Sequence, residues 1–151
     1  MSGWTHHRGR AAALDLENVD TDQIIPARLM STPRSQGYGG LLFHDLRRGE
    51  EAQDLFAHLK GASVLIAGQN FGCGSSREAA VYALLDFGFR AIIAPSFGDI
   101  FASNAVNNGV LPAVVDAGLV ADLISDLDDQ AELAEVDLAT SRLTVCGREI
   151  P

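Results

Sequence analysis

A chain of 151 residues has room for one domain with a hydrophobic core and seldom for two, so residues 1–151 are read as a single domain. Apolar residues make up 47% and charged residues 21%, the balance of a folded chain rather than a disordered one. The formal net charge of -9 argues against a nucleic-acid surface, which needs clustered Lys and Arg, and leaves the Arg47-Arg48 pair as a solvated loop. Residues 1–10 are polar with no apolar run behind their charges, and no stretch is apolar enough to span a bilayer. The expectation is a cytoplasmic protein with no membrane partner. Two cysteines far apart, Cys73 and Cys146, support neither a disulfide framework nor a metal site built from this chain alone.

The first part of the chain reads as loop-rich. Glu17-Asn18-Val19-Asp20-Thr21-Asp22 is acidic and turn-prone, and Pro26 can open a short helix through residues 27–30. Residues 31–40 combine Ser, Thr, Pro and Gln with three glycines and read as a mobile loop, or as a plain surface connector. The second part is strongly patterned. Ser63-Val64-Leu65-Ile66-Ala67 is a short apolar run expected to be a strand buried on both faces. Residues 78–87 carry Ala79, Ala80, Ala83, Leu84 and Phe87 at helical spacing, with Gly88 as the stop. A strand at 91–94, a helix at 99–108, a strand at 111–115 and a helix at 119–127 follow. Residues 134–138 and 142–145 read as a hairpin. This alternation predicts an α/β fold with a mainly parallel sheet, whose ligands gather where strand ends meet helix starts.

One such junction holds Asn70-Phe71-Gly72-Cys73-Gly74-Ser75-Ser76-Arg77-Glu78. No Lys follows Gly74, so it is not a P-loop. Arg77 stands where a dinucleotide fingerprint has its third glycine, and Glu78 where a nucleophile elbow has its second. Gly72 and Gly74 permit a sharp turn and a close approach to a ligand. Ser75 and Ser76 offer hydroxyls and backbone N–H groups at a helix start, whose dipole favours an anion by about 0.3–1 kcal/mol. Arg77 adds a planar cation suited to a carboxylate or phosphate. The plainer reading is an N-capping serine followed by a surface Arg and a capping Glu.

This loop resembles the signature of the mobile C-terminal domain of the aconitase superfamily. Two further segments agree with it: Asn18-Val19-Asp20-Thr21-Asp22-Gln23-Ile24-Ile25-Pro26, and Pro95-Ser96-Phe97-Gly98-Asp99-Ile100-Phe101 with Asn104, Asn107-Asn108 and Leu111-Pro112. In this order, across about residues 5–150, they resemble the family of 3-isopropylmalate dehydratase small subunits. The resemblance implies a swivelling three-layer β/β/α domain. It implies a hydro-lyase of leucine biosynthesis that moves a hydroxyl between neighbouring carbons of a dicarboxylate, with homoaconitate or a methylated malate as alternative substrates. A free-standing anion-binding module is the rival from another class.

The resemblance also assigns roles. Ser75 is the base that takes the carbon-bound proton, a role that requires its alkoxide to be stabilised by backbone N–H groups and a nearby Arg. Arg77 and Asp22 join it as catalytic residues; Thr21, Ser76, Arg77 and Arg34 bind substrate; Arg34, Gly37, Tyr38 and Gly39 form the specificity loop. The family's [4Fe-4S] cluster needs three thiolates, more than this chain has, so it is expected on a larger partner subunit. Cys73 then serves packing or loop shape, and no metal ligand is assigned here. His6, His7, His44 and His58 are scattered and read as surface or structural.

Overall fold

The structure, a computed structural model, describes residues 6–14, 16–25, 59, 61–74, 78–127, 132–137, 142–145 and 148–150. The expected helix at 27–30, the loop at 31–40, Arg47-Arg48, His44 and His58 lie outside the described residues.

The described strands build one sheet. They are β1 (His6–Leu14), β2 (Ala62–Ala67), β3 (Ala91–Ala94), β4 (Leu111–Val114), β5 (Glu132–Asp137), β6 (Arg142–Val145) and β7 (Arg148–Ile150). Their order across the sheet is β4-β3-β2-β1-β5-β6-β7. The pairings from β4 to β1 are parallel and those from β1 to β7 antiparallel. The α/β class therefore holds, with the sheet divided into a parallel half and an antiparallel half. The expected hairpin is present as β5 and β6, and β7 extends it.

Alternation along the parallel strands feeds two cores. Ala12, Leu14, Leu65, Ala67, Ile92 and Ala94 face one side, where α1 (Thr21–Ile24), α2 (Glu78–Phe87) and α3 (Asp99–Asn107) contribute Ile24, Leu84 and Phe101. Ala11, Ala13, Val64, Ile66, Ala91 and Ile93 face the other, against Val120, Leu123 and Leu127 of α4 (Ala117–Leu127). The described layers are thus helices, sheet and helix; a second sheet layer is not among the described residues. Each fully buried Val, Leu or Ile contributes about 1.5–3 kcal/mol.

Helix ends follow local chemistry. After α2, Gly88 takes φ 126° and Phe89 N donates to Leu84 O at 3.0 Å, closing the last turn. After α3, Gly109 takes φ 81° and Val110 N donates to Ala105 O at 2.9 Å. The helix α4 starts two residues ahead of expectation because the Asp116 carboxylate caps it, accepting from Gly118 N at 3.0 Å and Leu119 N at 3.4 Å.

The largest departure is β1. The loop-rich reading of the first part is corrected there, since residues 6–14 form the central strand of the sheet. Its first five residues, His6-His7-Arg8-Gly9-Arg10, are polar because only the last four reach the core. The run Ala11-Ala12-Ala13-Leu14 has high helix propensity, yet pairing on both edges and burial on both faces override it.

Candidate functional site

Three neighbouring parallel strands, β1, β2 and β3, end at Leu14, Ala67 and Ala94. The three segments that leave those ends are the three motif segments, and they continue side by side. Gly68 N donates to Leu16 O at 3.0 Å, Asn18 N to Gln69 O at 2.9 Å and Gly72 N to Val19 O at 2.7 Å. Thr21 N donates to Cys73 O at 2.9 Å, and Asp20 and Cys73 form an isolated parallel bridge. On the other flank, Phe71 N donates to Ser96 O at 3.1 Å and Gly98 N to Phe71 O at 2.9 Å. The glycine loop is therefore held between the other two motifs by backbone bonds on both edges.

Close packing fixes its height as well. Gly72, at φ 77°, lies against Phe101, and a β-carbon there would overlap the ring. A β-carbon on Gly98 would come within 2.6 Å of Gly72 O. Phe71 meets the rings of Phe97 and Phe101 edge-on, with centroids 6.4 and 5.4 Å away, and forms the apolar floor beneath the loop.

Beside the loop, α1 is fixed by a capping box. The Asp20 carboxylate accepts from Gln23 N at 2.8 Å, while the Gln23 side chain accepts from Asp20 N at 3.0 Å. Gly74, at φ 94°, rests on this helix start: a β-carbon there would stand 3.3 Å from Asp20 Cβ and 3.8 Å from the Thr21 hydroxyl. Thr21 is 2% exposed and Asp22 is exposed in the first turn of α1. Of the residues assigned to the site, the structure thus brings Thr21 and Asp22 to the flank of the glycine loop. Ser75, Ser76 and Arg77, and the specificity residues Arg34, Gly37, Tyr38 and Gly39, lie outside the described residues. The described chain stops at Gly74, one residue before Ser75, and resumes at Glu78, the first residue of α2.

Residues 1–118 match the model of the aconitase C-terminal domain family. The whole chain is 47% identical over 163 aligned positions to the 3-isopropylmalate dehydratase small subunit of Shewanella denitrificans, covering 80% of that protein. This chain belongs to the family of 3-isopropylmalate dehydratase small subunits. The corresponding small subunit of Shewanella amazonensis is 46% identical over 96% of this chain and 76% of its own length. The crystal structure of a 3-isopropylmalate dehydratase from Methanocaldococcus jannaschii superposes with a TM-score of 0.69. Its sequence identity is 30%, over 96% of this chain and 80% of that one.

Iron–sulfur clusters are held by cysteine thiolates. The sequence holds two cysteines, and the described one, Cys73, turns its thiol toward Asn18 O at 3.6 Å. Among the described residues, no group of three His, Cys, Asp or Glu side chains converges on one point. No described helix is long and apolar enough to cross a membrane.

Two site features were not singled out in the sequence. Asn18 and Asn70 are non-glycine residues in the left-handed region, at φ 54° and 58°, and their side chains are bonded to each other. Ser96 accepts the Asn70 backbone N–H on its hydroxyl at 2.8 Å. Asparagine tolerates that backbone better than other side chains, which is the signal that could have flagged both positions.

The histidines behave as expected where described. His6 pairs with Glu135 at 3.1 Å on the surface. His7 Nε2 lies 2.6 Å from Ser63 Oγ, and burial, then the Arg90 charge, then His6 hold its pKa below the usual 6.5.

Proposed function

We propose that this chain is the small subunit of a cytoplasmic 3-isopropylmalate dehydratase, a hydro-lyase that interconverts 2-isopropylmalate and 3-isopropylmalate in leucine biosynthesis. It acts only with a larger, cluster-bearing subunit. The observation that carries this reading is the joining of the three family motifs past the ends of adjacent strands, in a chain 47% identical to such a small subunit. In this reading the chain supplies half of the site.

In this reading Ser75 takes the proton from carbon while the hydroxyl leaves the neighbouring carbon, and water returns with the two positions exchanged. The [4Fe-4S] cluster of the partner supplies Lewis-acid chemistry. A serine hydroxyl is a weak base at neutral pH, so its alkoxide needs the N–H groups at the start of α2 and the Arg77 guanidinium. Ser76 and Arg77 also hold a substrate carboxylate. Asp22, exposed beside the loop, belongs to the same catalytic set. Thr21 and Arg34 belong to the substrate-binding set, and Arg34 with Gly37, Tyr38 and Gly39 selects the substituent. Closure of this domain over the large subunit excludes water from the reacting pair.

The test is reconstitution with a cluster-loaded large subunit, followed by turnover measurements on isopropylmalates, homoaconitate and citramalate. The expected result is no turnover by either chain alone, restored activity in the pair, and a preference for isopropylmalate. Ser75→Ala should abolish turnover while the pair still assembles. Turnover by the purified chain alone would overturn the reading, and a preference for another acid would move its substrate.

A further inference from the structure

We infer that Asn18 and Asn70 are positioning residues, a paired latch that sets the register of residues 71–74 against residues 19–21. The inference rests on the dehydratase reading for its kinetic consequence and on the structure for its geometry. Asn70 Nδ2 donates to Asn18 Oδ1 at 3.1 Å, joining the segment after β2 to the segment after β1. Asn70 N donates to Ser96 Oγ at 2.8 Å, so the same residue also ties in the segment after β3. All three motifs meet at this pair.

Both residues turn the chain through the left-handed region, three or four residues past the end of a strand. That turn lines residues 71–73 up with residues 19–21, in the register marked by the Gly72 N to Val19 O and Thr21 N to Cys73 O bonds. Gly74 then lies on the Asp20 end of α1. Ser75 follows Gly74 directly in the sequence, which is why the dehydratase reading gives this register a kinetic consequence. Misplacing a reacting group by about 1 Å can cost on the order of a hundredfold in rate. Neither asparagine needs to touch substrate for this effect.

Thr21 belongs to the same device. At 2% exposure its side chain is buried beside the loop. Its backbone N–H donates to Cys73 O at 2.9 Å, and its hydroxyl would stand 3.8 Å from a β-carbon on Gly74. It acts on the substrate through the loop.

The experiment uses the chain reconstituted with its large subunit and compares Asn18→Gly, Asn70→Gly, the double variant and Asn70→Asp. Glycine permits the left-handed backbone without strain while removing the side-chain bond. Aspartate keeps the bond, because the Asn18 amide can rotate to donate. Each single glycine variant should lower kcat about tenfold with KM within about twofold, in line with loss of positioning rather than binding. The double variant should be no slower than either single one, and Asn70→Asp should recover most of the rate. Unchanged kcat in both singles, or losses that multiply in the double, would overturn the latch. Hydrogen exchange of the Gly72 and Thr21 amides in the chain alone gives an independent reading. It should speed up in the glycine variants and return to the wild-type rate in Asn70→Asp, whatever acid the enzyme prefers. If the wild-type pair fails on every acid while exchange responds this way, the function reading falls and the latch stands.

Discussion

Gly72 rests against the ring of Phe101, and a side chain at position 72 has no space to occupy. Its φ of 77° adds a backbone penalty for any residue with a β-carbon. Gly72→Ala should therefore cost about 2–4 kcal/mol, combining left-handed strain with overpacking. Urea unfolding at neutral pH measures it. A loss below about 0.5 kcal/mol, within ordinary surface scatter, would mean that the Phe101 contact yields freely.

Asp20 anchors α1 against the loop through its capping box. Asp20→Ala should lower stability by about 1 kcal/mol, whereas Asp20→Asn, an equally good cap, should retain most of it. Because the Asp20 cap fixes the helix start beside Gly74, turnover in the reconstituted pair should fall less in the Asn variant than in the Ala variant. Equal losses in both would show that charge, not capping, is what Asp20 supplies.

His7 gives the fold a pH dependence at the far end of β1. Its folded pKa is depressed by burial first, by Arg90 second and by His6 third, so the native state favours the neutral ring. The unfolded chain then binds more protons below pH 6.5, and the contribution is present above that value and lost as pH falls through the folded pKa. His7→Gln should flatten the stability profile between about pH 7 and 5. An unchanged slope there would assign the dependence to other groups.

Cys73 sits inside the loop, and its thiol meets a backbone carbonyl at 3.6 Å, a weak contact. Cys73→Ala should leave the iron and sulfide content of the reconstituted enzyme unchanged and shift stability by less than about 1 kcal/mol. Iron analysis and electron paramagnetic resonance of the pair provide the check. Loss of one iron per cluster would make Cys73 a ligand.

Local chemistry determined much of this protein from sequence alone. The apolar run at 62–67, the Ala-rich spacing of α2 with its Gly88 stop, and the β3–α3–β4 alternation each carry their own burial pattern, and they appear within a residue or two of where the sequence puts them. The glycine loop also declared itself, because its turn needs residues without a β-carbon. Tertiary structure decided the rest. A polar, alanine-rich stretch became the central strand because β2 on one edge and β5 on the other supply its backbone partners, 52 or more residues away in the chain. The meeting of Asp20 with Cys73 and of Phe71 with Phe97 is likewise a product of strand order, since parallel neighbours bring their following segments together at one end. Thr21 is assigned to the substrate by family resemblance; only the tertiary structure shows that it is 2% exposed, with its backbone N–H bonded to Cys73 O.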